Sequence, residues 1–199
     1  MKFAKPSMAR SPARSLSGVY LDGNCQVLSE DGGRVFCRGQ RVGEDGNHSA
    51  VLVVLPAAEH PSPSNLDRLA HEYGLKDELD GAWAVRPLEL MREGGRTMLV
   101  LEDPGGEPLD QLLGAPMQLE CFLRLAIGIA SALGKVHQGG LVHKDIKPAN
   151  VLVNGATGQA WLTGFGIASR LSARATGGRA SRDRSPARSP TWRRNRPGG

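Results

Sequence analysis

Residues 141–154 read LVHKDIKPANVLVN. Here Asp145 follows His143 and Lys144, Lys147 lies two positions after the acid, and Asn150 lies five after it. What surrounds this polar loop decides how it is read. Before it, Gln118 to Gln138 carries Leu119, Phe122, Leu123, Ala126, Ile129, Ala130, Leu133 and Val136 at i, i+3/i+4 spacing, which predicts a long helix, and Gly139-Gly140 ends it. After it, Val151–Val153 and Ala160–Leu162 read as short strands joined by a turn at 154–158. Thr163-Gly164-Phe165-Gly166 then follows.

The pattern upstream is different. GNCQVLSEDGGRVFCRGQRV has apolar segments on both sides of Glu30-Asp31-Gly32-Gly33, which predicts a β-hairpin. Val51 to Leu55 is β-branched and ends at Pro56, as a buried strand does. A helix is expected after Ser64 or Asn65, with Leu66, Leu69, Ala70 and Tyr73 on one face, closing by Gly81. Ala82 to Leu90 and Arg96 to Leu101 read as two more strands, and Pro108 to Leu113 as a short helix. Periodicity thus gives an α+β chain with a small sheet first and helices after it.

Three widely spaced cysteines, Cys25, Cys37 and Cys121, argue against a disulfide framework or a zinc site and fit reduced thiols in a cytoplasm. No apolar run is long enough to cross a membrane, and the basic N-terminus lacks the apolar stretch of a secretory signal. The net charge of +5 is unevenly spread. Residues 171–199 hold eight arginines and one aspartate, and the first fourteen residues hold four basic groups and no acid. Residues 15–170 are therefore net acidic. Both basic ends are rich in Ser, Pro, Arg or Gly and are expected to be disordered. Without aromatic interleaving or a folded binding motif, the tail gives little reason to expect specific nucleic-acid recognition.

The loop is close to the H-R-D-L-x-x-x-N signature, and roughly residues 18–170 resemble the eukaryotic-type serine/threonine protein kinases. Together with EDPGGEPLDQLL and WLTGFGIASRL, it resembles the kinase-like modules that open large bacterial signalling proteins, where an ATPase and a sensor histidine kinase follow. The resemblance implies a protein-kinase-like fold: a small β-rich lobe over 16–103 and a truncated helical large lobe beginning at 104–170. It implies ATP and Mg2+ as cofactors and proteins as signalling partners. It assigns Asp145 to the substrate hydroxyl proton, Lys147 to the γ-phosphate, Asn150 to a Mg2+ ion and Glu102 to the nucleotide. His143 becomes a packing and hydrogen-bonding residue.

Several parts depart from the family pattern. The turn at Ser29–Gly33 has two glycines but not G-x-G-x-x-G, and its two acids would repel phosphate, so an ordinary hairpin turn is expected. No Lys or Arg occurs between Val42 and Asp67, so the strand at 51–55 lacks the lysine that contacts the α- and β-phosphates. Glu72 sits where the helix glutamate belongs and, without that lysine, is expected to be solvated or locally capped. Gly164 replaces the metal-binding aspartate. Asp103, in the EDPGG segment, is expected to cap or contact backbone.

Residues 171–199 do not continue the kinase pattern. With permitted codons for 185–199, the frame beginning one nucleotide earlier reads IAGTLAYMAPEQTGR, which resembles a kinase activation segment through G-T-x-x-Y-M-A-P-E. This predicts a frameshift between about Leu171 and Arg184. The sequence reading is therefore a degenerate, truncated serine/threonine-kinase-like signalling fragment. A working kinase with unconventional metal use, and a basic-tail module binding nucleic acid or a partner, are the alternatives.

Overall fold

The computed structural model describes residues 15–16, 19–20, 25–43, 45–93 and 95–171. The expectations of a disordered arm, a disordered tail and a frameshift between about 171 and 184 fall on residues outside these, save Ser15 at the end of the arm and Leu171 at the start of the tail.

Two short strands, β1 (Ser15–Leu16) and β2 (Val19–Tyr20), lead into the hairpin of β3 (Gln26–Asp31) and β4 (Arg34–Val42). Gly32 and Gly33 form its two-residue turn with φ of 59° and 77°. Two successive positive φ values mark a type I′ turn, whose twist suits a hairpin and which glycine adopts at low steric cost. The ordinary hairpin turn expected from the sequence is what forms.

β5 (His48–Pro56) pairs with β4 along its whole length, Arg34 opposite Pro56 and Phe36 opposite Val54. β6 (Pro87–Glu93) and β7 (Arg96–Glu102) complete an antiparallel sheet in the order β1-β2-β4-β5-β7-β6, with β3 on β4. Side chains alternate faces along a strand. On β5, Leu52 and Val54 join Leu28, Phe36, Leu69, Leu99 and Leu101 in one core, while Val51 and Val53 join Cys37, Met91, Met98 and Val100 in another. The second core is built from the sheet's own strands.

Helix α1 (Pro63–Gly74) crosses the first face with Leu69. Its N-cap is Ser62, two residues before the expected position. Pro63 supplies a helical φ at the first position, and Ser62 Oγ accepts the Asn65 N–H. The helix stops at Gly74. Residues 80–84 make turns on the Asp80 carbonyl, and Ala84 bridges Leu162, so the sheet strand starts at Pro87 and not at Ala82.

After β8 (Glu107–Pro108) and α2 (Leu109–Leu112), the long helix α3 (Leu119–Gln138) opens the large lobe. Lys135 and His137 in its last turn suit the negative end of the helix dipole. Its core face is Leu125, Ile129, Ala132, Leu133 and Val136. The stripe read from sequence is half right, because Leu119, Phe122, Leu123 and Ala130 face solvent among the described residues. The first half of the helix is apolar on two faces, and spacing alone does not choose between them. Gly128 sits against Gly158, where an added Cβ would collide with the Gly158 carbonyl oxygen.

β9 (Leu141–Val142) precedes the polar loop and pairs with β12 (Ser169–Arg170). β10 (Val151–Val153) and β11 (Ala160–Leu162) form a ribbon that also pairs with β8. Leu152 and Trp161 reach into the sheet's core, and the Leu162 backbone exchanges hydrogen bonds with Trp83 and Val85. The two lobes thus share apolar packing and backbone pairing. The cleft between them runs from the β3–β4 hairpin to the 143–150 loop.

Candidate functional site

The polar loop is fixed from beneath by His143, which is buried and packs against Phe165 with ring centroids 4.4 Å apart. Its Nε2 pairs with the Thr163 carbonyl oxygen at 3.0 Å, and its Nδ1 accepts the Asp145 N–H at 3.2 Å. Burial lowers the imidazole pKa, which matches one ring nitrogen donating and the other accepting. His143 thus packs and hydrogen-bonds beneath the loop as a scaffold residue. Lys144 takes φ of 68°, a left-handed conformation uncommon for a residue with a side chain, between the buried His143 and the loop acid.

Asp145, Lys147 and Asn150 come together. Asn150 Nδ2 donates to the Asp145 carbonyl oxygen at 2.8 Å and to its Oδ2 at 2.9 Å. Lys147 Nζ lies 3.2 Å from Asp145 Oδ2. It also meets Asp31 Oδ2, from the hairpin, at 2.5 Å. Hydrogen bonding to Lys147 lowers the Asp31 pKa, and the bond to Asp31 raises that of Lys147. Arg34 Nη2 stands 3.9 Å from Asp145 Oδ2. One acid and one base from the hairpin thus face one acid and one base from the loop, across the mouth of the cleft.

Glu72 overturns its expectation. It is fully buried, and Oε1 accepts the Gly164 N–H at 3.0 Å. Among the described residues Oε2 has no hydrogen-bond partner. Burial raises its pKa, opposed first by the charge of Arg34 and then by the N–H groups of Gly164 and Phe165. Instead of capping its own helix, Glu72 holds the Gly164 backbone.

Gly164 has φ of 82°. A Cβ there would lie 2.8 Å from Asn150 Oδ1, so the Asn150 amide fills the space a side chain at 164 would need. The residues do not fit a bound Mg2+. Gly164 offers no ligand, Asn150 offers one neutral oxygen, and among the described residues no group of three metal-ligating side chains occurs.

Glu102 lies apart from this group. Its carboxylate pairs with Arg86 at 2.8 Å and its N–H donates to the Arg86 carbonyl oxygen. Asp103 pairs with Arg38 Nε at 2.6 Å and accepts the Gly105 N–H, so its backbone contact is joined by an ion pair. Arg38 also donates to the Gly106 carbonyl oxygen, pinning the 103–106 segment to β4. Neither Arg34 nor Arg38 was singled out from the sequence. Their one visible signal is spacing on β4, where positions 34 and 38 share a face with Phe36.

A chain with this sheet, this ribbon and this loop has the architecture of a protein kinase. Residues 42–192 match the family model described as the protein kinase domain, and the chain belongs to that family. It is 36% identical over 107 residues to the serine/threonine-protein kinase PknA of Mycobacterium tuberculosis, covering 52% of this chain and 21% of that protein. It is 32% identical over 157 residues to the serine/threonine-protein kinase pkn2 of Myxococcus xanthus, covering 75% of this chain and 19% of that protein. The chain spans about a fifth of the length of these relatives.

Proposed function

We propose that this serine/threonine-kinase domain is silent in phosphoryl transfer and acts in signalling through protein contacts. The observation that carries this reading is Gly164 packed against Asn150, where a carboxylate would otherwise hold a metal. The absence of any Lys or Arg on β5 supports it. In kinase chemistry the metal ions neutralise charge that develops on the transferred phosphoryl group, and little covalent chemistry is left to the protein. Loss of the metal ligand and the strand lysine therefore removes most of the acceleration even where the loop acid remains. Asp145 keeps the position for orienting a hydroxyl, with Lys147 beside it, but nothing at 164 completes the site. ATP and protein partners are the ligands proposed, in a cytoplasmic setting. Among the described residues no helix is long and apolar enough to cross a membrane.

A second reading, a working kinase with unconventional metal use, is favoured by one observation: Asp145 is bonded to both Lys147 and Asn150. Incubation of the full chain with γ-labelled ATP, Mg2+ or Mn2+ and a generic protein substrate separates the two. The expected result is labelling no greater than that of Asp145→Ala. Labelling that Asp145→Ala abolishes would establish the second reading.

A further inference from the structure

The cleft contains a cation that the β5 sequence does not provide. Phe36 pairs with Val54 across the β4–β5 ladder. Arg34, two residues before Phe36, points from the same face of β4. It lines the cleft with Phe36, Val54, Asn150 and Gly164. Its side chain is only 16% exposed. Among the described residues its guanidinium makes no hydrogen bond, and its ion-pair contact, to Asp145, is long at 3.9 Å. An arginine in a cleft with so little of its fork committed can take an anion, since the planar guanidinium suits phosphate oxygens. Lys147 Nζ, bound to the same Asp145 oxygen, lies nearby.

We propose that Arg34 is the phosphate-binding cation of this cleft, supplied from β4 in place of the lysine absent from β5, and that with Lys147 it holds a nucleoside di- or triphosphate without a divalent metal. The proposal rests on the kinase-domain reading of the cleft and adds the residue that binds the ligand. The acids opposing it are Asp31, Asp145 and Glu72. Asp31 is paired with Lys147, and its side chain is 48% exposed at the open side of the cleft. Glu72 is buried behind Gly164, where burial disfavours its charged form.

The test is a fluorescence titration of the full chain with N-methylanthraniloyl-ADP, first in EDTA and then in excess Mg2+, with circular dichroism confirming that each variant is folded. The expected result is saturable binding that unlabelled ADP competes away and that Mg2+ leaves essentially unchanged. Arg34→Ala is expected to weaken it by about tenfold or more, and Arg34→Lys by less. Moving the cation, as Arg34→Ala with Val54→Lys, is expected to restore binding, which a merely structural role for Arg34 would not allow. Equal binding by Arg34→Ala, no binding by the parent chain, binding that needs Mg2+, or no restoration by the double variant would each overturn the proposal. Absent binding, or indifference to Arg34, leaves the transfer-silent reading standing. Transfer of labelled phosphate overturns that reading without touching Arg34.

Discussion

Glu72 titrates in a way that its neighbours make visible. Its raised pKa means that the folded chain holds a proton that the unfolded chain releases at the ordinary carboxylate pKa. The folded state binds more protons in that window, so this group's contribution to stability falls as pH rises from the unfolded value through the folded one. Glu72→Gln keeps an oxygen for the Gly164 N–H and removes the titration. It is expected to be more stable than the parent by roughly 1–3 kcal/mol above neutral pH, with the difference fading toward about pH 4. Thermal melts across that range check it, and parallel pH profiles would contradict it. Gly164→Asp tests the opposite face of the same contact. Positive φ and the approach to Asn150 Oδ1 predict a loss of about 1–3 kcal/mol by chemical denaturation, with no gain of metal-dependent transfer. A variant as stable as the parent would show that Asn150 yields freely. At this scale Asp145, Lys147 and Asn150 were legible because they are close in sequence and their spacing is the motif. Glu72 and Arg34 were not. Glu72 bonds a backbone N–H 92 positions away. Arg34 becomes a cleft residue only through the strand register that puts Phe36 beside Val54.

Elements show where stability and association are decided. The β3–β4 hairpin is latched to the 143–150 loop by the Asp31–Lys147 pair at its tip. Exposed pairs are worth about 0–1 kcal/mol, so Asp31→Asn is expected to leave the melting temperature almost unchanged. It is expected instead to speed amide exchange locally, in 26–36, without speeding it in β7. Unchanged exchange in the hairpin would show that the pair is no latch. Helix α3 carries a second apolar face, with Leu119 71% exposed, Ile127 69% and Phe122 55%. Contiguous exposed apolar surface promotes association. Phe122→Lys with Ile127→Lys is expected to reduce self-association in light scattering while changing stability by no more than about 0.5 kcal/mol per site. A large loss of stability would mean that this face is covered. The hairpin was legible from its two glycines, and the length of α3 from its apolar count. Which face of α3 packs was not, because Leu125 and Ala132, small in number and flanked by other apolar residues, decide it through contacts with Val151, Ala160 and Leu162.

At the scale of the whole molecule, the kinase fold is kept by packing that does not require catalysis. The sheet core takes Leu152 and Trp161 from the large lobe, and Leu162 ties that ribbon to Trp83 and Val85, so the lobes are joined by apolar packing and backbone pairing. The class of fold was legible because a sheet-first, helix-later order is written in periodicity and the loop motif fixes its meaning. The charge arrangement of the cleft was not, since it is assembled from β4, α1 and two loops. We further propose that a frameshift between about Leu171 and Arg184 produced the residues that follow it. Sequencing of the coding DNA across codons 165–199 is expected to show the activation-segment string in another frame, and its absence would refute the shift. The central claim is that this cleft holds no catalytic metal. Electron paramagnetic resonance of Mn2+ titrated into the full chain with ADP tests it directly. The expected result is a free-Mn2+ signal lowered only as far as ADP alone lowers it. A further, protein-dependent loss of signal that Asn150→Ala removes would contradict the claim and restore this domain to the working kinases.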